Sequence, residues 1–227
     1  MNQPPLRRAT CAACLRAQSA CICAWVRPLA SPVELLILQH PLEVANAKNS
    51  ARLLHLSVAG SVLAVGEAFD AEALHAMLHA GGRAPVLLYP DTPGAGSATS
   101  IAATSTAATS TGAISTSATA TATSTAPWRL RLVVLDATWR KSRKMLYLNP
   151  GLQELPRLAL RDMPASGYRI RKAHAPDQLS TLEASAHALG QIEGDRARYA
   201  PLFAAFEGFV AQQAAFVPSS APRTPGA

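Results

Sequence analysis

An acidic residue stands at the junction between an apolar run and a strongly basic stretch. The apolar run is Leu130 to Leu135, and Asp136-Ala137-Thr138-Trp139 comes directly after it. In an open α/β sheet, ligands bind outside the carboxyl ends of the strands, so a carboxylate there faces a site more often than a core. The next residues include four cations: Arg140, Lys141, Arg143 and Lys144. Their charge indicates an anionic ligand beside the acid.

If a helix opens after Asp136, the four cations lie on an arc of about 160°, at about 100° per residue. The phosphates of a nucleic acid can follow such a face. Trp139 is interpreted either as a platform for base stacking or as a core anchor. Asp136 and Thr138 are also residue types that cap helices, so capping stays open for both.

All four cysteines of the chain lie within 13 residues, as Cys11, Cys14, Cys21 and Cys23. Two pairs this close can surround one Zn²⁺ tetrahedrally, since thiolates are ligands that zinc prefers. The gap of one residue in the second pair is tighter than the usual spacing, so redox thiols and a cluster of free cysteines remain alternatives. A zinc held by four cysteines is structural, because no coordination position stays open.

A second basic segment, Tyr168-Arg169-Ile170-Arg171-Lys172, alternates cations with one apolar residue. Between Arg129 and Lys172 lie 11 of the 21 lysines and arginines, against three acids. This excess favours a face that binds a polyanion, although a solvated surface that aids solubility is the alternative. Of the six histidines, only His40, beside Pro41 at the end of the first predicted strand, is positioned like a site residue.

The composition is that of a globular enzyme, with 227 residues, 49% hydrophobic residues and a net charge of +7. No signal-peptide pattern and no run of about 18 apolar residues occurs, so we expect a soluble, cytoplasmic protein that does not enter a membrane. The oligomeric state cannot be read from the sequence.

Strands and helices alternate along the chain, which predicts an α/β fold with a mainly parallel sheet and flanking helices. The predicted strands are 33–38, 61–65, 85–89 and 130–135, with a further one within 157–160, and the predicted helices are 49–58, 70–80, 180–189 and 201–216. Ser180 and Glu183 fit a capping box at the start of the third helix.

The domain prediction has four parts. Residues 1–30 form a zinc-binding cysteine module, and 31–217 form the main domain. Within the main domain, 92–126 is nearly all Ala, Ser, Thr and Gly, which predicts a disordered insert. Residues 218–227 are predicted to be a disordered tail.

Six ordered motifs make the chain resemble the DTW-domain proteins, specifically the bacterial tRNA-uridine aminocarboxypropyltransferases. The motifs are the four cysteines; Leu38-Gln39-His40-Pro41 with Glu43; Asn49 with Arg52-Leu53; Asp136-Ala137-Thr138-Trp139 with Arg143-Lys144-Met145; Leu155-Pro156-Arg157 with Tyr168-Arg169-Ile170-Arg171-Lys172; and Leu179-Ser180-Thr181-Leu182-Glu183-Ala184. The departures are small for small: Ala137 stands where glycine is common, and Ser50 and Ser142 where threonine and alanine are usual.

The resemblance implies transfer of the 3-amino-3-carboxypropyl group of S-adenosylmethionine to N3 of a tRNA uridine, with release of 5'-methylthioadenosine. It also implies a SPOUT-like fold with a knotted C-terminal cofactor site, and the bacterial subgroup implies a uridine in the variable loop. The residues expected to bind the cofactor are Gln39, His40, Pro41, Arg52, Thr138, Trp139, Arg169, Ser180, Thr181 and Glu183. Those expected to bind RNA are Arg140, Lys141, Arg143, Lys144, Tyr168, Arg171 and Lys172.

Uridine N3 carries a proton, so a positioned base must remove it, and Asp136 is the candidate. Arg52 or Arg169 is expected to hold the carboxylate of the transferred group in a bidentate pair. Two alternatives remain: an RNA methyltransferase of similar fold, and a zinc-bearing RNA-binding protein without catalysis.

Overall fold

The structure of the chain is a computed structural model that describes residues 9–90, 126–160, 163–164, 166–167 and 179–216. Several sequence predictions therefore lie outside the described residues. They are the basic segment Tyr168, Arg169, Arg171 and Lys172, the insert apart from Ala126, and the tail.

The described residues contain a five-stranded sheet in the order β2-β1-β4-β3-β5. Every neighbouring pair is parallel, which confirms the α/β prediction. The strands are β1 (Glu34–Gln39), β2 (Val62–Val65), β3 (Ala84–Leu88), β4 (Leu130–Asp136) and β5 (Arg157–Leu158). The central strands β1 and β4 are almost entirely buried, as expected for a parallel sheet covered on both faces.

Six α-helices flank the sheet in the described part of the chain: α1 (Ala51–Ser57), α2 (Ala71–His79), α3 (Trp139–Leu148), α4 (Pro150–Gln153), α5 (Thr181–Glu193) and α6 (Ala200–Ala215). Both groups of the predicted capping box are present at the start of α5. The helix runs on past the predicted end at Leu189 and stops at Gly194, whose φ of 70° is the left-handed conformation that glycine adopts readily. Single-turn 3₁₀ segments also occur, including Pro41–Glu43 after β1.

Alternate residues of the central strands feed two cores on opposite faces of the sheet. Leu35 and Ile37 point to a core formed with α1, α5 and α6. Leu36 and Leu38 point to a second core formed with α2, α3 and α4. The molecule therefore has three layers, and the carboxyl ends of its strands meet at one open edge between them.

The cysteine module packs on the first of these cores. Ile22 is fully buried, and the Trp25 ring lies against Gly208 of α6. Trp25 Nε1 donates to Gln212 Oε1 at 2.6 Å, and Gln212 Nε2 donates to the carbonyl of Cys21 at 3.0 Å. The module and α6 are thus joined by both packing and hydrogen bonds.

One of the 11 cations between Arg129 and Lys172 is buried in the protein interior. Arg131 is only 5% exposed and pairs with Glu34, its register partner on β1. It also donates to the carbonyls of Met77 and Ala80 at the end of α2. Its charge stabilises the fold and is not available to a polyanion.

None of the helices in the described ranges combines the length and the apolar character that a membrane span requires.

Candidate active site

The Asp136 carboxylate is held by side chains from three other parts of the chain. Gln39 Nε2, at the end of β1, donates to Oδ2 at 2.8 Å, and Asn49 Nδ2, just before α1, donates to the same oxygen at 2.6 Å. Thr181 Oγ1, in the first turn of α5, donates to Oδ1 at 2.7 Å. The sheet register aligns Gln39 with Asp136, which explains why the two side chains meet.

Asp136 is only 3% exposed, and this burial raises the pKa of its carboxyl group. The hydrogen bonds from Gln39, Thr181 and Asn49 act in the opposite direction, because each stabilises the charged form. The negative charge of Glu43 adds a further upward contribution. The site thus combines a desolvated carboxylate with donors that stabilise its charged form.

The same contacts show whether Asp136 and Thr138 cap α3. Thr138 occupies the N-cap position of α3, but its side chain makes no capping hydrogen bond. The carboxylate of Asp136 is engaged by the three donors across the sheet edge. Neither side chain therefore acts as a cap, and the position of Asp136 is explained by the site instead.

Asp136 lines a polar cleft at the carboxyl ends of β1 and β4. The cleft is bounded by the loop before α1 and by the first residues of α5. Its lining residues are Glu43, Asn46, Lys48, Asn49, Ser50, Asp136, Ala137, Ser180 and Thr181. It therefore holds two buried carboxylates, amide and hydroxyl groups, and one lysine.

Glu43 is the second buried carboxylate of the cleft, at 4% exposed. Lys141 Nζ lies 2.8 Å from its Oε1, and Asn46 Nδ2 donates to its Oε2 at 3.0 Å. Lys141 belongs to α3, so this ion pair ties the helix to the turn after β1. One of the predicted RNA-binding cations is thus engaged by an acid of the cleft.

His40, directly after β1, and Lys144 of α3 both contact the same carboxylate, that of Glu67. Its Nδ1 accepts from the backbone N–H of Leu42 at 3.1 Å, within the turn opened by Pro41. Its Nε2 lies 3.1 Å from Glu67 Oε1, and Lys144 Nζ lies 2.9 Å from Glu67 Oε2. The hydrogen bond from Lys144, followed by that from His40, lowers the pKa of Glu67. His40 therefore lies beside the cleft rather than in its lining.

Of the other residues expected to bind the cofactor, Ser180 and Thr181 line the cleft, whereas Glu183 and Arg52 do not. Glu183 lies one turn further along α5, where its carboxylate accepts from the backbone N–H groups of Ser180 and Gly167, both at 2.8 Å, and from Ser166 Oγ. The Arg52 guanidinium points to the cysteine module and donates to the carbonyl of Ala13 at 2.7 Å. Arg169 lies outside the described residues.

Trp139 opens α3 and is 49% exposed, so it is not a core anchor. Its ring meets the edge of Tyr89 in a T-shaped contact, with the centroids 5.7 Å apart. The Arg157 guanidinium lies over the Tyr89 ring, 5.4 Å from the ring centroid. Tyr89 directly follows β3, and Trp139 comes three residues after the end of β4, so both rings stand near carboxyl ends of strands, as Asp136 does.

The four cysteines have the geometry of a metal site. Their Sγ atoms all lie within 4.8 Å of one another, with Cys11 and Cys23 at 3.6 Å and Cys14 and Cys21 at 3.7 Å. Zn–S bonds of about 2.3 Å place tetrahedral sulfur atoms about 3.8 Å apart, so the spacing fits zinc. Hydrogen bonds from the backbone of Cys14 and Ala13 lower the pKa of the Cys11 thiol to about 6, which favours the thiolate that a metal binds.

Sequence reasoning assigned no role to several residues that build the cleft. Asn49 contacts the Asp136 carboxylate directly, and Glu43 and Lys48 line the cleft. Glu43 and Asn49 belong to the motifs behind the family resemblance, so a signal was present, but their contacts depend on folding. Lys48 is a cation of the cleft lining that no motif indicated.

Comparison with known proteins agrees with the motifs. A model described as the DTW domain matches residues 8–214. Proteins named tRNA-uridine aminocarboxypropyltransferase 2 match from Drosophila melanogaster, with 29% identity over 84% of this chain and 69% of the relative. Those from Macaca fascicularis (25% identity, 84% of this chain, 59% of the relative) and Mus musculus (27%, 82% and 57%) match as well. The chain spans less than two thirds of these two mammalian relatives, and no solved structure matches.

Proposed function

The chain belongs to the DTW domain family, and on that premise we propose that it is a tRNA-uridine aminocarboxypropyltransferase. It takes the 3-amino-3-carboxypropyl group from S-adenosylmethionine and attaches it to N3 of a uridine in tRNA. The names of the fly, macaque and mouse relatives support this reaction. These relatives are animal proteins, so a uridine in the variable loop, which the bacterial subgroup implies, is part of the proposal only.

The observation that carries the proposal is the hydrogen-bonded, buried carboxylate of Asp136. Two donors occupy Oδ2, whereas Oδ1 accepts only from Thr181 among the contacts of the described residues. A carboxylate oxygen has two lone-pair positions, so Oδ1 retains one that can accept a proton. In the proposed reaction this oxygen takes the N3 proton of uridine. The N3–C bond forms as the C–S bond breaks, and the sulfur leaves as the neutral thioether of 5'-methylthioadenosine.

The cleft also suits the charged groups of the donor. Glu43 and Asp136 both line it, and among the described residues Glu43 pairs with Lys141 whereas the donors to Asp136 are uncharged. Such a cleft favours a cationic ligand, and the donor carries a sulfonium and an ammonium group. Lys48 is a cation of the cleft lining, and Arg169 remains the proposed bidentate partner of the donor carboxylate outside the described residues.

Further assignments belong to the same proposal. Zinc is the structural metal of the cysteine module, which the sulfur spacing supports.

The sheet is SPOUT-like with a knotted cofactor site. The central parallel pair β1 and β4 and the contact from α5 to Asp136 support this proposal. A crystal structure traced through residues 161–178 tests the knot. A cytoplasmic location agrees with four cysteines that form no disulfide among the described residues, and the four-part domain division is retained.

A double-label assay tests the reaction. The protein is incubated with tRNA and with S-adenosylmethionine labelled separately in the methyl or the carboxyl carbon. Carboxyl label on the tRNA, together with released 5'-methylthioadenosine, is the expected result. Methyl label alone would identify a methyltransferase. Retained tRNA binding without either label would identify a binding protein.

A further inference from the structure

The polar surface of α3 is divided into two flanks with different partners. At about 100° per residue, Lys144 and Lys141 lie within an arc of about 60° on one flank. Each is bonded to an acid beside the sheet edge, Lys141 to Glu43 and Lys144 to Glu67. These lysines fix the helix on the ends of the neighbouring strands, and their charge is largely neutralised.

The other flank carries aromatic rings and arginines. Trp139, Arg143 and Tyr147 follow one another at intervals of four residues and form what we call the α3 stripe, with Arg140 beside it. Trp139 is 49% exposed, Tyr147 is 79% exposed, and both arginines are exposed. Within the ranges that the structure describes, neither Arg140 nor Arg143 has an acidic partner.

We propose that the α3 stripe binds a single-stranded loop of the tRNA, with bases stacked on Trp139 and Tyr147 and the intervening phosphate held by Arg143. This inference rests on the proposed function, because it takes tRNA as the substrate. It goes further by selecting one flank of the helix and by adding Tyr147, which no motif singled out. RNA recognition of this kind targets unpaired bases that can stack on aromatic side chains.

The dimensions of the stripe suit successive nucleotides. Each interval of four residues advances about 6 Å along the helix, so the two rings stand about 12 Å apart with the arginine between them. Tyr89 contacts the Trp139 ring edge-on, which restricts its orientation. Since Trp139 lies three residues after Asp136, the stripe begins close to the carboxyl end of β4 and leads away from it. The bound nucleotides are therefore those that flank the modified uridine.

Binding of a tRNA transcript to the full chain, measured by fluorescence anisotropy without donor, tests the stripe. Tyr147→Ala should weaken binding about five- to a hundredfold, the range for loss of one stacked base. Tyr147→Phe keeps the ring and should bind within about twofold of the unaltered chain. Because Tyr147 is 79% exposed, circular dichroism should show an unchanged fold in both variants.

Two controls separate stacking from charge and from general exposure. Heparin, a polyanion without bases, should bind Tyr147→Ala as tightly as the unaltered chain, whereas Arg143→Gln should weaken binding of both tRNA and heparin. Trp128 is a similarly exposed aromatic residue, packed with Arg129 just before β4 at the opposite edge of the sheet. Trp128→Ala should leave tRNA binding unchanged.

Some results would overturn the inference. They are unchanged tRNA binding by Tyr147→Ala, an equal loss of heparin binding, or an equal loss with Trp128→Ala. The label assay on the unaltered chain keeps the two proposals separate. If the unaltered chain transfers the group but Tyr147→Ala binds tRNA normally, only the stripe is rejected. If Tyr147→Ala weakens tRNA binding but the unaltered chain transfers no group, only the proposed reaction is rejected.

Discussion

At the scale of single residues, the central feature is a desolvated carboxylate that accepts three hydrogen bonds. Burial raises the pKa of Asp136, and the hydrogen bonds from Gln39, Thr181 and Asn49 oppose this rise. A carboxylate with a raised pKa is a stronger base than an exposed carboxylate. This is the property that removal of the uridine N3 proton requires.

Asp136→Asn should abolish group transfer while tRNA binding is retained. An amide cannot accept the N3 proton, and loss of a general base typically costs about 10²- to 10⁴-fold in rate. The carboxyl-label assay and a tRNA-binding titration measure the two properties separately. Asp195→Asn is a suitable control, because Asp195 is exposed and accepts from the backbone of Arg198, which an asparagine can also do. Full activity of Asp136→Asn would exclude the base role.

The Thr181 hydroxyl should tune the pH dependence of the reaction. Its hydrogen bond lowers the pKa of Asp136, so Thr181→Val should raise that pKa further above the ordinary value of 3.8. At a given acidic pH more of the base is then protonated, and the acid limb of kcat/KM moves to higher pH. Thr181→Ser retains the donor and should restore the original profile. A lower rate with an unmoved acid limb would show a purely structural role.

At the scale of elements, the site depends on which helices are fixed to the sheet edge. The Lys141 and Lys144 ion pairs hold α3 against the ends of β1 and β2. The capping box starts α5 at Ser180, so that Thr181 reaches Asp136. On the same face of the sheet as α5, α6 carries the cysteine module through its contact with Trp25. Lys141 and Thr181 lie in the first turn of their helices, whereas Gly208 lies at the centre of α6.

The contact between Trp25 and α6 leaves no room for a side chain at Gly208. A Cβ there would lie 2.1 Å from the indole ring, and the Trp25–Gln212 hydrogen bond restrains that ring. Gly208→Ala should lower the free energy of unfolding by about 1–3 kcal/mol, since overpacking outweighs a gain of about 1 kcal/mol in helix propensity. Urea unfolding measures the change.

Gly151→Ala is the matched control, because its Cβ would meet only Leu74 Cδ2 at 4.0 Å. It should leave the midpoint of urea unfolding unchanged or raise it. Equal stability of Gly208→Ala and the unaltered chain would contradict the close packing of Trp25.

At the scale of the whole molecule, the cysteine module shares the main core. Cys14 and Ile22 are buried in the same cluster as residues of α1, α5 and α6. The polar cleft contains none of the four cysteines in its lining. A metal in the module therefore supports the fold without entering the reaction.

Cys14→Ser should release the bound zinc and lower the Tm. The chain as expressed should contain one zinc ion by elemental analysis, and the variant should contain much less. Because none of the four cysteines lines the cleft, the fraction of the variant that stays folded should still transfer the group. Ala12→Ser, which adds a hydroxyl in the same loop and keeps all four thiols, should change neither zinc content nor Tm. A zinc-free chain of undiminished stability would exclude the structural role.

Features that depend on short-range patterns could be predicted from the amino-acid sequence. Apolar runs between helical segments predicted the parallel α/β sheet, and the pair Ser180 and Glu183 predicted the start of α5; the structure contains both. The four cysteines within 13 residues indicated a metal cluster that the sulfur distances support. The position of Asp136 at a strand end was also visible, because strand ends follow from local hydrophobicity.

Which side chains meet at that strand end depends on the folded chain. Gln39, Asn49 and Thr181 are separated from Asp136 by 97, 87 and 45 residues, and they converge because the parallel register aligns the carboxyl ends of β1 and β4. The same folding brings Glu43 and Glu67 to the lysines of α3 and leaves the arginines without acids among the described residues. Sequence spacing gave four equivalent cations on one helix. The acids that distinguish them lie on other elements, so their pairing depends on packing that no local pattern encodes.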